Sequence, residues 1–109
     1  MLEPLFGSKC REQVLQYIEA NESAYATEIK SFYGMSLDPV QKQLERLELG
    51  SVLVSQNVGK TILYRLNPRY AFLEELRALL LKARSFYKPE LIEALTMQRK
   101  RPRRQGKPL

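Results

Sequence analysis

A mainly α-helical fold carrying one small β hairpin is what this 109-residue sequence predicts, and three observations in the stretch Ser36–Asn67 predict it. Leu37, Val40, Leu44 and Leu47 recur there at helical spacing. Gly50 follows as a helix stop. Val52–Ser55 and Thr61–Leu66 then form two short strand-like runs, joined by a polar turn containing Asn57, Gly59 and Lys60. A helix running straight into a hairpin leaves the rest of the chain to be placed around it.

The elements follow in order. Leu2, Leu5 and Phe6 precede Gly7 and are expected to be apolar anchors, too short to form an element of their own. Ser8 predicts the N-cap of a first helix running to about Glu19 or Ala20. Its apolar face is Cys10, Val14, Tyr17 and Ile18, broadened by Leu15, while Lys9, Arg11, Glu12, Gln16 and Glu19 are expected to face away. Asn21-Glu22-Ser23 reads as a turn and Ala24-Tyr25 as extended chain. A short second helix starting near Thr27 carries Ile29, Phe32 and Tyr33 and ends at Gly34. Only Met35 and Ser36 separate it from the third helix, which is the spacing of a helix-turn-helix. Ser36 offers a cap to that third helix, and Pro39 falls early enough in it to break no ladder bond. Gln41, Lys42, Gln43, Glu45 and Arg46 are expected opposite its Val40/Leu44/Leu47 seam.

Asn67-Pro68 predicts the cap and first residue of a long C-terminal helix. Its stripe of Phe72, Leu73, Leu76, Leu79, Leu80 and Ala83, with Tyr70 and Leu81 beside it, is wide for a helix packed on one small domain. A second copy of the chain covering one edge explains the width, with Leu5 and Phe6 joining the interface. Pro89 interrupts the pattern and Glu90–Leu95 adds a further turn or two. Residues 1–95 thus read as one domain and 96–109 as a basic tail, which lacks apolar periodicity and is expected to be disordered.

The net charge of +6 has to be located before it means anything. Residues 1–98 hold twelve Asp/Glu and twelve Lys/Arg, so that part is neutral. The excess lies in Arg99, Lys100, Arg101, Arg103, Arg104 and Lys107, which are candidate phosphate contacts. No run of 18 apolar residues is present to span a bilayer, and MLEPLFGSK lacks the basic leader and apolar core of a signal peptide. With a single cysteine, no internal disulfide can form, which fits a reducing cytoplasm, with nucleoid association when bound to DNA.

Catalysis has little support. With no histidine, every His-based triad, dyad or metal site is excluded. Cys10 lies on an apolar helix face and reads as a packed thiol. GKT in NVGKT lacks the preceding glycine of a phosphate-binding loop and runs into a strand, so that motif is rejected. No cofactor and no metal are expected.

Nucleic-acid binding rests on arrangement instead. The third helix can enter a major groove with Gln41, Lys42, Gln43 and Arg46 toward bases or phosphates, since Gln and Arg hydrogen-bond bidentately to adenine and guanine. Asn57 and Lys60 at the hairpin tip, flanked by Arg65 and Arg69, are candidate backbone contacts. Glu45 and Glu48 are expected to stay off the DNA.

The segments LFGSKCREQVLQYI, Ala26–Leu49, LELGSVLVSQNVGKTILYRLN and NPRYAFLEELRALLLK together resemble the ArsR-type winged helix-turn-helix repressors of bacteria and archaea, in particular a metal-independent group of small regulators. The resemblance spans about residues 2–84. It implies a recognition helix at Ser36–Leu49, a two-stranded wing at Val52–Leu66, and dimerisation through the first and last helices. It also implies a homodimer on double-stranded operator DNA. Metal-sensing members use a Cys-rich stretch or a His/Asp/Glu set that this chain lacks. Two function classes follow: a homodimeric, sequence-specific DNA-binding regulator, expected to repress, or a protein-interaction module that holds a partner on its C-terminal helix.

Overall fold

The computed structural model describes residues 1–97. The element order is α1 (Glu3–Phe6), α2 (Lys9–Asn21), β1 (Ala24–Tyr25), α3 (Ala26–Tyr33), α4 (Leu37–Leu49), β2 (Leu53–Val58), β3 (Thr61–Leu66), α5 (Leu73–Arg84) and α6 (Pro89–Thr96). This is the mainly helical, winged helix-turn-helix architecture that the element order predicts. It contains one more helix and one more strand than expected.

The extra helix is α1. Pro4 in its first turn and Gly7 at φ 78 after its last make a single helical turn of residues expected to stay irregular. The extra strand is β1, which pairs antiparallel with β3, Ala24 opposite Tyr64 and Tyr25 opposite Leu63. The sheet therefore has three strands in the order β1-β3-β2. Strand β2 runs on through Asn57 to Val58, which pairs with Thr61. The hairpin turn thus contracts to Gly59-Lys60, with Gly59 at φ 62 supplying the left-handed residue that such a turn needs.

Helix α2 is the centre of the molecule. Val14, Leu15, Tyr17, Ile18 and Ala20 pack with Ile29, Val40, Leu44, Leu47, Leu53, Tyr64, Leu80 and Leu95 in one core. Ser8 caps α2 as expected, accepting a bond from the Arg11 amide at 3.1 Å. Part of its polar side does not face solvent, and this corrects the expectation for Glu12 and Gln16, both buried. Gln16 Nε2 donates to the Leu80 carbonyl at 2.8 Å, and its Oε1 accepts from Arg84 Nε at 2.9 Å. Arg84 also donates to Glu19 Oε1 at 2.5 Å. Glu12 accepts from the Leu2 amide at 2.8 Å and from the Tyr87 hydroxyl. Helix α5, with Leu80 and Arg84, and the link after it, with Tyr87, return over α2 carrying partners these groups require.

Three caps differ from expectation. Ser36 has the extended backbone of an N-cap but makes no side-chain cap bond. Gly50 sits at φ −85, and the left-handed conformation falls on Ser51 at φ 68. The C-terminal helix starts at Leu73 rather than Pro68. Asn67 does not cap it: its Oδ1 accepts from the Arg69 amide at 3.0 Å, while its Nδ2 donates to the Ser51 carbonyl at 2.9 Å. Asparagine here closes a local turn and ties it to the exit of α4.

Candidate nucleic-acid interface

The helix-turn-helix is built from α3, the Gly34 turn and α4. Gly34 at φ 65 turns the chain, and the Met35 amide closes back on the Lys30 carbonyl at 3.0 Å. Helix α4 then lies with Val40, Leu44 and Leu47 in the core and Asp38, Gln41, Lys42, Glu45, Arg46 and Glu48 exposed.

Gln43 is a correction. It is 8% exposed, and its Oε1 accepts from Arg11 Nε at 2.8 Å. Arg11 also donates to the Phe6 carbonyl at 2.9 Å, so it joins α1, α2 and α4. Gln43 sits one turn from Val40 and Leu47 on the inward side of α4, where a base cannot reach it. Periodicity alone carried the signal, since Gln43 is flanked by the seam residues at i−3 and i+4.

The wing folds beside α4. Residues directly opposite in an antiparallel pair share a face, so Ser55 and Tyr64 lie on one side with Asn57 and Ile62. Ser55 Oγ donates to Glu48 Oε2 at 2.5 Å, which fixes that side toward α4. A cleft of about 220 Å³ results, lined among others by Gln41, Glu45, Lys60, Ile62 and Tyr64. Gln41 and Lys60 are therefore brought together from elements nineteen positions apart in sequence. The Tyr64 phenol is pushed up by burial, reinforced by Glu48 and Glu45, so it presents a neutral hydroxyl to this region.

The two arginines expected to flank Lys60 do not join it. Arg65 is near the base of β3, about 13 Å of strand from the turn. There it lines a separate hollow with Glu19, Glu22 and Arg77. Arg69 is exposed in the turn after β3. Lys42 is on the exposed face of α4, with Nζ 3.5 Å from Asp38 Oδ2 one turn earlier. Arg46 is exposed with no ion pair among the described residues. The six tail residues, Arg99, Lys100, Arg101, Arg103, Arg104 and Lys107, lie outside the described residues.

The candidate dimer surface divides. Leu80 and Ala83 are buried in the protomer's own core, which corrects their assignment to an interface. Phe72 is 62% exposed, Leu5 is also exposed, and Phe6, Leu73, Leu76 and Leu79 are half-buried. Leu81 and Phe86, which were not among the expected contacts, are exposed large apolar side chains at the C-terminal end of α5 and just beyond it.

Nothing in the described residues points to an activated nucleophile or metal centre. Burial raises the Cys10 thiol, the reverse of what a reactive thiolate needs. No group of three or more His, Cys, Asp or Glu that could hold a metal ion occurs among the described residues. None of the described helices is long and apolar enough to cross a membrane.

No protein-family model and no curated protein matches the sequence. Among solved structures, the AntR antimony-specific transcriptional repressor is 22% identical, with a TM-score of 0.60 over 75% of this chain and 72% of that one. A homodimeric winged helix-turn-helix DNA-binding domain from Mycobacterium bovis, a possible ArsR-family transcriptional regulator, is 20% identical, with a TM-score of 0.57 over 77% and 75%. At these identities the likeness is one of fold: this chain has a winged helix-turn-helix fold.

Proposed function

We propose that this winged helix-turn-helix chain is a homodimeric, sequence-specific DNA-binding transcriptional regulator that represses by occluding its operator. The observation that carries the reading is the shared surface of α4 and the wing tip. Gln41, Lys42, Glu45 and Arg46 stand out from one helix with no element packed over them, and Lys60 reaches the same cleft from the hairpin. A helix of this exposure fits a major groove, and Asn57 and Lys60 would lie against the flanking backbone. The names of the two similar structures, a repressor and a DNA-binding domain, support the same reading.

The exposed Phe72, Leu81 and Phe86, with half-buried Leu76 and Leu79 and with Leu5, are the surface a second copy would cover. Two-fold pairing would set the reading helices about 34–36 Å apart, one turn of duplex. The regulator would belong with the metal-independent members, since neither a Cys-rich stretch nor histidine is present. Residues 1–95 would be the folded unit, and the tail at 96–109 would add sequence-independent phosphate attraction. A cytoplasmic, nucleoid-associated location follows from this role.

The test is a titration of full-length protein, and of a truncation ending at Leu95, against the DNA upstream of its own gene and against random duplex. Full-length protein should bind the upstream DNA preferentially, with affinity falling steeply as salt rises. The truncation should keep the preference with a shallower salt slope. Absence of binding at low salt by the full-length protein would sink the proposal. One observation favours the second reading, a protein-interaction module: Asp38, Glu45 and Glu48 outnumber Lys42 and Arg46 on the exposed side of α4. If all DNA affinity leaves with the tail and no preference remains, that reading wins.

A further inference from the structure

We infer that Glu45 is the residue that sets base specificity on α4, accepting a hydrogen bond from the N4 amine of a cytosine; this rests on the DNA-binding function proposed above. The placement comes first. At about 100° per residue, the line opposite the buried stripe of Val40, Gln43, Leu44 and Leu47 passes between Asp38 and Leu49. Glu45 and Lys42 each lie about 30° from that line, on either side of it, while Gln41 and Arg46 lie about 70° out on the flanks. Glu45 therefore points closer to the floor of a groove that α4 enters than Gln41 or Arg46 does.

Three of the charges near it are engaged elsewhere, while Arg46 and Lys60 make no ion pair among the described residues. Asp38 and Lys42 face each other at 3.5 Å and offset one another. Glu48 accepts from Ser55 on the wing. Glu45 is exposed, lines the cleft with Gln41 and Lys60, and makes no ion pair among the described residues.

An unpaired carboxylate pushed into a groove walled by phosphates is repelled unless a donor meets it. It can only accept. The edges of guanine and thymine offer it acceptors, O6 and N7 or O4, and so repel it. Adenine offers its N6 amine beside the N7 acceptor, whereas the N4 amine of cytosine has no acceptor next to it on the groove edge. Cytosine is the one base whose groove edge attracts a carboxylate without also repelling it. Discrimination thus comes as much from the wrong bases being repelled as from the right one being bound. Gln41, one turn earlier, carries both a donor and an acceptor and fits adenine. The rise between the two residues is about 6 Å, close to two base steps. Each half-site should therefore contain an adenine and a cytosine about two steps apart.

The experiment is selection from random duplex DNA by full-length wild type, Glu45→Gln and Glu45→Ala, all three first shown to melt alike. Wild type should enrich a motif with one cytosine-restricted position per half-site. In Glu45→Gln that position should turn to adenine. In Glu45→Ala it should become indifferent, the ratio of specific to non-specific affinity falling on the order of tenfold while non-specific binding at low salt strengthens. A wild-type motif that survives unchanged in both variants overturns the assignment of Glu45 and leaves the DNA-binding function standing. A wild type that enriches no motif overturns that function, and the assignment with it.

Discussion

Helices α2 and α4 put the same kinds of side chain on their polar sides, and the fold treats them in opposite ways. Glu12, Gln16 and Glu19 on α2 are matched by Gln41, Glu45 and Glu48 on α4, at nearly the same helical spacing. On α2 they are covered by α5 and α6, and Arg84, Tyr87 and the Leu80 carbonyl meet them. On α4 they stay exposed, with Glu48 alone of the three bonded to the wing. The polar side of one helix is a structural seam, and that of the other is a free surface. What separates them is not local sequence but whether a later element returns over that side.

The largest test of this contrast pits Arg84 against Arg46. Arg84 is buried and bonds both Gln16 and Glu19, so Arg84→Ala leaves Gln16 Oε1 without its donor and Glu19 with only Arg77, at 3.9 Å. Breaking such a pair costs about 3–5 kcal/mol, to be read from urea unfolding. Arg46→Ala, on the free side, should change stability by no more than about 0.5 kcal/mol while weakening DNA binding. Equal losses of stability in the two variants would erase the distinction.

Tyr87→Phe probes the same seam at smaller scale. It removes one of the donors that meet the buried Glu12 carboxylate and should cost about 1–3 kcal/mol. A thermal melt unchanged within error would mean that the Tyr87–Glu12 bond adds nothing net.

Alkaline pH should loosen the seam. Burial pushes the Tyr87 phenol well above its usual range, with the Glu12 bond and charge adding to it, and burial does the same to Tyr33. Tyr33 donates to the Gln13 carbonyl at 3.0 Å. A phenol whose folded pKa is raised stabilises the fold fully below the unfolded value of about 10, and that stabilisation is lost as pH climbs toward the folded value. Unfolding free energy should therefore fall above about pH 10. The decline should be shallower in Tyr33→Phe and Tyr87→Phe. An identical slope in both variants would place the titrating groups elsewhere.

The outward half of this molecule is more legible in its sequence than the inward half. Leu37, Val40, Leu44 and Leu47 announce α4, and with it the exposed places of Gln41, Lys42 and Arg46. Lys60 follows from the hairpin, because strand alternation and a Gly-containing turn fix the tip locally, whereas Asn57 belongs to strand β2, paired with Ile62, and not to the tip. Gln43, Leu80, Ala83, Glu12 and Gln16 did not follow, and they share one cause. Each is buried by an element distant in sequence, such as Arg11 over Gln43 or Arg84 over Gln16. A glutamine at helical spacing from apolar residues reads as polar whichever neighbour finally covers it. Arg65 failed for a related reason: sequence proximity to Lys60 hides the length of an extended strand. The sequence points Glu45 away from DNA and toward a helix pair with Lys42; the structure pairs Lys42 with Asp38 instead, and the different part given to Glu45 is a proposal.

The smallest expected effect comes at the hinge between α4 and the wing, where sequence and backbone disagree about which residue turns the chain. Gly50 has an ordinary φ of −85, and an added Cβ would meet the Arg46 carbonyl at 3.5 Å, an ordinary contact. Ser51 carries the left-handed φ of 68 that glycine adopts without strain. Gly50→Ala should stabilise by about 0.4–1 kcal/mol, because the unfolded chain loses freedom that the folded one does not use. Ser51→Gly relieves a left-handed strain of about 1–2 kcal/mol and gives back part of it to unfolded-state entropy, for a net gain of about 0.5–1 kcal/mol. Neither position lies on the exposed side of α4 that faces the wing cleft, so DNA affinity should stay level in both variants. A loss of stability in Gly50→Ala would mean that Gly50, not Ser51, is the residue that must turn.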